Sequence, residues 1–247
     1  MVFRAVIGAD VLKNSIEAIS TLVEEATFKL SPGGISLKAV DPANVAMVSF
    51  ELTSDAFDSY ESTEGEIGLD LLKLVDVLGM ADRSDKVGLE LNETTHKLTI
   101  TMRGLSYTLS LLDPSSIRKE PKVPSLDLPA RVTLNGNELR RAVKAAEKVS
   151  DHMALGVDGD VFFMEAKGDT DQVRLELAKD ELIHLEASGP ARSLFSLDYL
   201  SDMSKALGKV NEITVCLGKD FPIKIDFMMA DGKGKVGYLL APRIESE

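Results

Sequence analysis

The chain has no tryptophan, one cysteine and three histidines in 247 residues, and each shortage removes a class of function. A single cysteine, Cys216, excludes an internal disulfide and suits a reducing compartment. It alternates with Val215 in a strand-like run and reads as inert packing. His96, His152 and His184 lie far apart, and none has a cysteine or carboxylate at metal-ligand spacing, so no metal and no cofactor is expected. With aromatic residues at 5% and no indole, base stacking is a poor basis for any nucleic-acid contact. No apolar run approaches the roughly 18 residues a membrane helix needs. Met1-Val-Phe-Arg begins in strand-like alternation without a signal peptide's apolar stretch, so a cytoplasmic protein with no membrane partner is expected. No nucleophile–base pairing stands out. The balance of 40 acids to 28 bases, net −12, argues by itself against nucleic acid. It fits either a salty cytoplasm or the outer surface of an assembly.

What the chain does have is a copy of itself. Leu12, Ile16 and Ala18 meet Leu139, Val143 and Ala145 at an offset of 127. Leu69-Asp70 meets Leu197-Asp198, and Leu111 to Pro114 meets Leu239 to Pro242, both at an offset of 128. A period this long marks a duplicated domain, not a solenoid. The expected division is 1–117, a connector over 118–129, and 130–247.

Period-two alternation dominates each copy. Ile35/Leu37/Ala39, Val87/Leu89/Leu91, Leu98/Ile100/Met102 and Tyr107/Leu109/Leu111 alternate in the first copy. Val173/Leu175/Leu177, Ile183/Leu185/Ala187, Ile213/Val215/Leu217 and Ile223/Ile225/Phe227 do so in the second. Such alternation predicts antiparallel sheets with one wet face, joined by short turns such as Asn92-Glu93-Thr94-Thr95. Four segments carry helical spacing instead. They are residues 10–21 (Leu12, Ile16, Ile19), 69–79 (Leu71, Leu72, Val75, Leu78), 136–149 (Leu139, Val143, Ala146) and 197–207 (Leu200, Met203, Leu207). Asp10, Asp70 and Asp198 stand at or near the helix starts as caps or first-turn acids. Each copy therefore reads helix, strands, helix, strands.

The connector Arg118–Pro129 holds three prolines in 12 residues, which forbids a helix and favours an extended path. Stretched, it reaches about 40 Å at roughly 3.3–3.6 Å per residue. Leu126 and Leu128 flank Asp127, so one side of it is apolar. Gly232, Gly234 and Gly237 spell the glycine pattern of dinucleotide binding, and on that pattern alone rests an alternative reading as a nucleotide-dependent oxidoreductase. A strand precedes the glycines, but Tyr238 to Pro242 follows as an extended run, so a hairpin turn is the better reading.

Positive charge gathers on the helices. Arg140, Arg141, Lys144 and Lys148 share one segment, with Lys13, Lys73, Lys205 and Lys209 on or just beyond the others. Ordinary solvated faces explain single lysines. Four bases on one helix of an acidic chain suggest contact with phosphates and not with base edges.

These pieces resemble one family, the proliferating cell nuclear antigen of archaea and eukaryotes, the sliding clamps of DNA replication. The residues that carry the resemblance are Leu239 to Glu245, the loop from Ala39 to Val48, and Leu126 to Pro129. The resemblance implies an α+β fold, the DNA-clamp fold, with two similar domains each placing two helices on antiparallel sheets. It implies a homotrimeric ring that encircles double-stranded DNA non-specifically, with the basic helix residues facing the bore. A paralogous subunit of a heterotrimer remains a further reading. Neighbouring chains are expected to pair through edge strands at 105–112 and 172–179. Expected partners are a replicative DNA polymerase, the clamp loader, a flap endonuclease, DNA ligase and other proteins bearing the family's short interaction motif. Their docking groove is expected at Val40, Val45, Leu126, Leu128, Pro222, Leu239, Ala241 and Pro242. No catalytic residue is expected, and the location is cytoplasmic near the nucleoid, or nuclear in a eukaryote. Asp76 and Asp202 intrude on helices that in this family are more basic, and bound cations are a candidate substitute for the missing lysines.

Overall fold

The computed structural model describes residues 1–122 and 125–244, so Val123 and Pro124 of the connector and Glu245 of the C-terminal motif lie outside it. The chain divides into two compact units. Unit 1 comprises Met1–Pro42, Val48–Pro121 and Met229–Val236; unit 2 comprises Ala43–Met47, Lys122–Met228 and Gly237–Glu247.

The first copy contains β1 (Phe3–Gly8), α1 (Ala9–Ser20), β2 (Glu25–Ser31), β3 (Gly34–Val40), β4 (Ala46–Thr53), β5 (Ser59–Ser62) and β6 (Gly65–Asp70). It continues with α2 (Leu71–Leu78), β7 (Lys86–Asn92), β8 (Lys97–Met102) and β9 (Leu105–Ser110). The second copy contains β10 (Ala130–Leu134), α3 (Gly136–Ala146), β11 (His152–Asp158), β12 (Val161–Lys167), β13 (Gln172–Ala178) and β14 (His184–Ala187). It ends with β15 (Ala191–Ser196), α4 (Leu197–Leu207), β16 (Ile213–Leu217), β17 (Ile223–Met229) and β18 (Gly234–Leu240).

Strand order repeats as faithfully as sequence. The order β5-β1-β7-β8-β9 of the first copy returns in the second as β14-β10-β16-β17-β18, and the order β4-β3-β2-β6 returns as β13-β12-β11-β15. Pairings such as Leu89↔Ile100 and Val132↔Val215 are antiparallel, as alternation predicts. The Asn92–Thr95 turn closes the β7–β8 hairpin, with the Asn92 side chain accepting from Thr95 N at 3.0 Å. The glycine-rich segment is also a hairpin turn. Ala230, Asp231 and Gly232 all take positive φ, and β18 follows with no helix.

Three details correct the pattern read from sequence. Each copy begins with a strand, β1 or β10, before its first helix. Strands β11 and β12 are almost wholly buried on both faces, with α3 packed on one of them, so they show no alternation. Ile183, assigned to a buried face, is 57% exposed just before β14.

The helices pack in pairs, α1 beside α2 and α3 beside α4. In α3 the buried stripe is Leu139, Ala142, Val143 and Ala146, the spacing of one helical face. Gly136, the first residue of α3, sits where a β-carbon would come within 1.9 Å of the Leu207 carbonyl oxygen at the end of α4. Its amide donates to Val210 O at 3.1 Å, so glycine permits backbone to meet backbone here. In α2 the buried stripe is Leu71, Leu74, Val77 and Leu78, while Leu72 is 48% exposed, contrary to the sequence expectation. Six of its eight residues are apolar, so two stripes compete and packing against α1, β2 and β6 decides.

Asp70 caps α2. Its carboxylate accepts from Lys73 N at 3.0 Å and pairs with the Lys73 ammonium at 3.0 Å. Partial burial pulls the carboxyl up, but these hydrogen bonds pull harder and hold it below the usual carboxylate range. The Asp70→Ala variant is expected to lose about 1 kcal/mol, the usual worth of an N-cap. Because folding lowers this pKa, the contribution is complete above the unfolded carboxylate's pKa of about 4 and disappears as acid protonates the folded form. Denaturant titrations at neutral pH and below the folded pKa check this; a difference from wild type that persists in acid would refute it.

Candidate nucleic-acid surface and peptide groove

The eight basic residues singled out from sequence do not form one class. Lys73 pairs with Asp70, Arg141 with Glu138 at 2.9 Å, and Lys205 with Asp202 at 2.7 Å, each three residues away on its own helix. Those charges are largely spent locally. The Asp70 hydrogen bond raises the Lys73 pKa, which keeps both partners ionised. Lys13, Arg140, Lys144 and Lys148 make no ion pair among the described residues. Arg140 and Lys144 follow one another along α3 at about 6 Å of rise. Lys148 lies beyond the helix, which ends at Ala146 with Glu147 as its cap, short of the sequence expectation. Lys144 sits in the last turn, where the helix dipole favours a cation. Lys209 follows α4 in a turn, its amide donating to Ala206 O at 3.2 Å. Asp76 is exposed on α2.

The groove residues share one property. Val40, Val45, Leu126, Leu128, Pro222, Leu239, Ala241 and Pro242 are all half-exposed, neither core nor free surface. Val40 belongs to unit 1 and the other seven to unit 2. Within unit 2 the Ala241 amide donates to Val45 O at 2.9 Å, so the C-terminal run and the loop lie side by side. At the far end of the connector, Ser188 N donates to Pro129 O at 3.0 Å. A β-carbon at Gly218 would meet Pro129 Cδ and the Phe221 ring at 3.3 and 3.2 Å, so the loop before β17 touches the connector's end. Half-exposed apolar side chains beside extended backbone are the kind of surface that suits a short peptide. Phe221 adds to this set and was not singled out from sequence; it is 47% exposed. The readable signal was an aromatic residue directly before a proline, outside the alternation of the strand that follows.

The edges of the sheets differ in a way that matters for association. β5 and β14 are only four residues long. β6 is bridged at Gly68 by Leu112, and β15 at Leu194 by Arg243. Strands β9 and β13, six and seven residues long, end their sheets with no strand partner on the outer side among the described residues. An uncovered edge this long invites pairing with another chain. Side chains tie β13 to β12 within unit 2. The Arg174 guanidinium lies 4.1 Å from the Phe163 ring centroid and pairs with Glu165 and Glu176, each at 2.7 Å. Burial pushes the Glu165 carboxyl up, but Arg174, Lys167 and Arg192 outweigh it and hold it below the usual range.

No cluster of three or more histidine, cysteine or acidic side chains suited to a metal occurs among the described residues. No helix among them is long and apolar enough to cross a membrane. Burial raises the Cys216 thiol pKa, which makes it a poor nucleophile.

Comparison with known proteins identifies the family. Residues 1–107 match the family model for the proliferating cell nuclear antigen N-terminal domain, and residues 122–243 match that for its C-terminal domain. A DNA polymerase sliding clamp of Methanosarcina barkeri is 63% identical over 245 residues, covering 99% of this chain and 100% of that protein. One from Halobacterium salinarum is 52% identical over 246 residues, 99% of each. Among solved structures, the A. fulgidus antigen bound to the C-terminal region of FEN-1 superimposes with a TM-score of 0.93 at 37% identity, covering 99% of this chain and 100% of that one. The antigen of Thermococcus kodakaraensis gives 0.91 at 28% identity, covering 98% and 100%.

Proposed function

The chain belongs to the proliferating cell nuclear antigen family, a family of non-enzymatic DNA polymerase sliding clamps, and from that premise we propose that three copies close into a ring around duplex DNA and tether replication enzymes to it. The observation that carries the reading is the pair of long, uncovered strand edges, β9 in unit 1 and β13 in unit 2. One edge of each kind per chain permits head-to-tail association, which closes when the rotation per subunit is right. The two copies, 1–117 and 130–247, then supply six similar units with their helices toward the bore.

Encirclement explains the modest charge of the helices. A ring is retained by topology, so its phosphate contacts need only be weak and exchangeable, and base readout would oppose sliding. Screening over about 8 Å at physiological salt confines the acidic exterior's repulsion. Arg140, Lys144 and Lys148, with Lys13, are the groups that face phosphate in this reading, because their charge is uncommitted. The double variant Lys144→Glu, Lys148→Glu is expected to bind DNA more weakly. The slope of log affinity against log salt should fall by about 0.9 for each phosphate that is no longer neutralised. A slope equal to that of wild type, measured on nicked circular DNA, would remove these residues from the DNA surface.

Docking is the second half of the function. The half-exposed apolar set of unit 2 at Val45, Leu126, Leu128, Pro222, Leu239, Ala241 and Pro242 is the acceptor for the short motif of a polymerase, clamp loader, flap endonuclease or DNA ligase. Support comes from the neighbour solved with the FEN-1 C-terminal region. Light scattering of the purified chain at micromolar concentration tests the assembly. A mass three times that of one chain is expected, and a lone monomer would instead favour a subunit that functions only in a heterotrimer.

A further inference from the structure

A second cleft lies entirely within unit 1, where the root of the connector crosses the outer face of β2 and β3. It encloses about 190 Å³, and its walls carry Lys29, Lys38, Arg118 and Lys119. The Glu120 carboxylate sits between the Lys29 and Lys38 ammonium groups, hydrogen-bonded to the first and 3.5 Å from the second. Arg118 is engaged differently: its guanidinium donates to the Asp41 and Pro42 carbonyls at 2.8 and 3.2 Å and anchors the connector root to the neighbouring loop. Glu25 and Glu66 complete the wall on the β2–β6 side.

The charge here runs against that of the chain. Acids outnumber bases 40 to 28 overall, yet residues 118–122 hold three bases and one acid, and that acid is folded back onto two more lysines. Lys29 and Lys38 are 47% and 44% exposed, so the site opens to solvent and is not a sealed ion pair.

We infer that this cleft is a docking subsite for the acidic side chains of a partner peptide, with Glu120 holding the place that a partner carboxylate takes. Docking of a partner peptide as such rests on the function proposed above, but the cleft can be tested without it. A carboxylate entering between Lys29 and Lys38 exchanges one exposed ion pair for another, so the subsite adds selectivity and little affinity. The 190 Å³ available is several times the roughly 30 Å³ share of one water, which leaves room for a side chain beside a displaced Glu120.

The probe is fluorescently labelled hexaglutamate, titrated at low salt against the full chain and followed by anisotropy, with hexaglutamine as the uncharged control. Saturable binding of hexaglutamate and none of hexaglutamine is expected. Removing the internal competitor, Glu120→Gln, should tighten binding roughly two- to fivefold, and Lys29→Gln with Lys38→Gln should weaken it by roughly tenfold. Leu128→Asp should leave hexaglutamate binding unchanged, which separates failure of the groove from failure of the cleft. The inference is overturned if hexaglutamate does not bind, if the double lysine variant binds it equally, or if Glu120→Gln has no effect. It is also overturned if inorganic phosphate displaces the probe as readily as unlabelled hexaglutamate does, since the site would then be a general anion site.

Discussion

Leu128→Asp should leave the assembly and the unfolding transition of the chain unchanged and abolish stimulation of a partner polymerase. The asymmetry follows from where Leu128 sits. It is half-exposed in the free chain, so a carboxylate there stays hydrated and costs little. Once a peptide covers it, the same carboxylate faces apolar anchors with no water. Without the leucine, about 1.5–3 kcal/mol of apolar burial is forgone, and stranding a polar group at the interface adds roughly 1–3 kcal/mol more. Together these correspond to a loss of affinity of about two to four orders of magnitude. Titration calorimetry with a peptide bearing one aliphatic and two aromatic anchors reads the affinity, and primer extension on circular template reads the consequence. If stimulation survives at wild-type level, the groove is elsewhere.

Leu175→Asp should reduce the particle to one third of its mass at micromolar concentration. Leu175 lies in the middle of β13, opposite Met164 of β12, and is half-exposed. Its neighbours on that face, Val173 and Leu177, are half-buried and buried, so the face is apolar and continuous with the core of unit 2. An edge strand pairs through backbone, but the apolar face beside it supplies most of the free energy of association. In the proposed ring, a charge placed there weakens every junction at once. Retention on circular DNA should fall with the mass, while transient binding to linear duplex persists. Circular dichroism guards the interpretation, because the expected variant is folded. A wild-type chain that is already monomeric, or a variant that still sediments as a trimer, would refute the β9–β13 pairing.

Much of this architecture is written in the residues, and the places where it is not have physical causes. The offset of 127 or 128 between Leu12 and Leu139, or Leu69 and Leu197, anticipates the matched strand orders of the two units. The edge strands 105–112 and 172–179, expected from the resemblance, correspond to β9 and β13. Alternation fails for β11 and β12 because both of their faces are covered. Helical spacing fails for Leu72 because α2 is apolar around most of its circumference. For the site, composition shows which residues are basic but not which of them are already paired. Glu138, Asp70 and Asp202 each sit one turn from a lysine or arginine, and i,i+3 spacing alone does not tell a formed pair from an open one. The groove is proposed through resemblance and not through spacing, since Val45 and Ala241 are nearly 200 positions apart and are brought together by backbone hydrogen bonding. The cationic cleft was not legible at all, because Lys29, Lys38 and Glu120 come together only when the connector root folds back on β2 and β3.

The absent side chain at Gly136 sets a length scale. With the Leu207 carbonyl oxygen sitting where a methyl would otherwise go, α3 and α4 approach as closely at that end as two peptide chains can. That backbone contact sets the spacing of the two helices at this end, and with it where the unpaired Arg140 and Lys144 of α3 stand relative to α4. Substituting alanine would wedge the pair open and respace those positive groups. The sensitive readout would be how fast the protein diffuses along duplex, since one-dimensional mobility depends on whether successive charges fall in or out of step with the phosphate repeat.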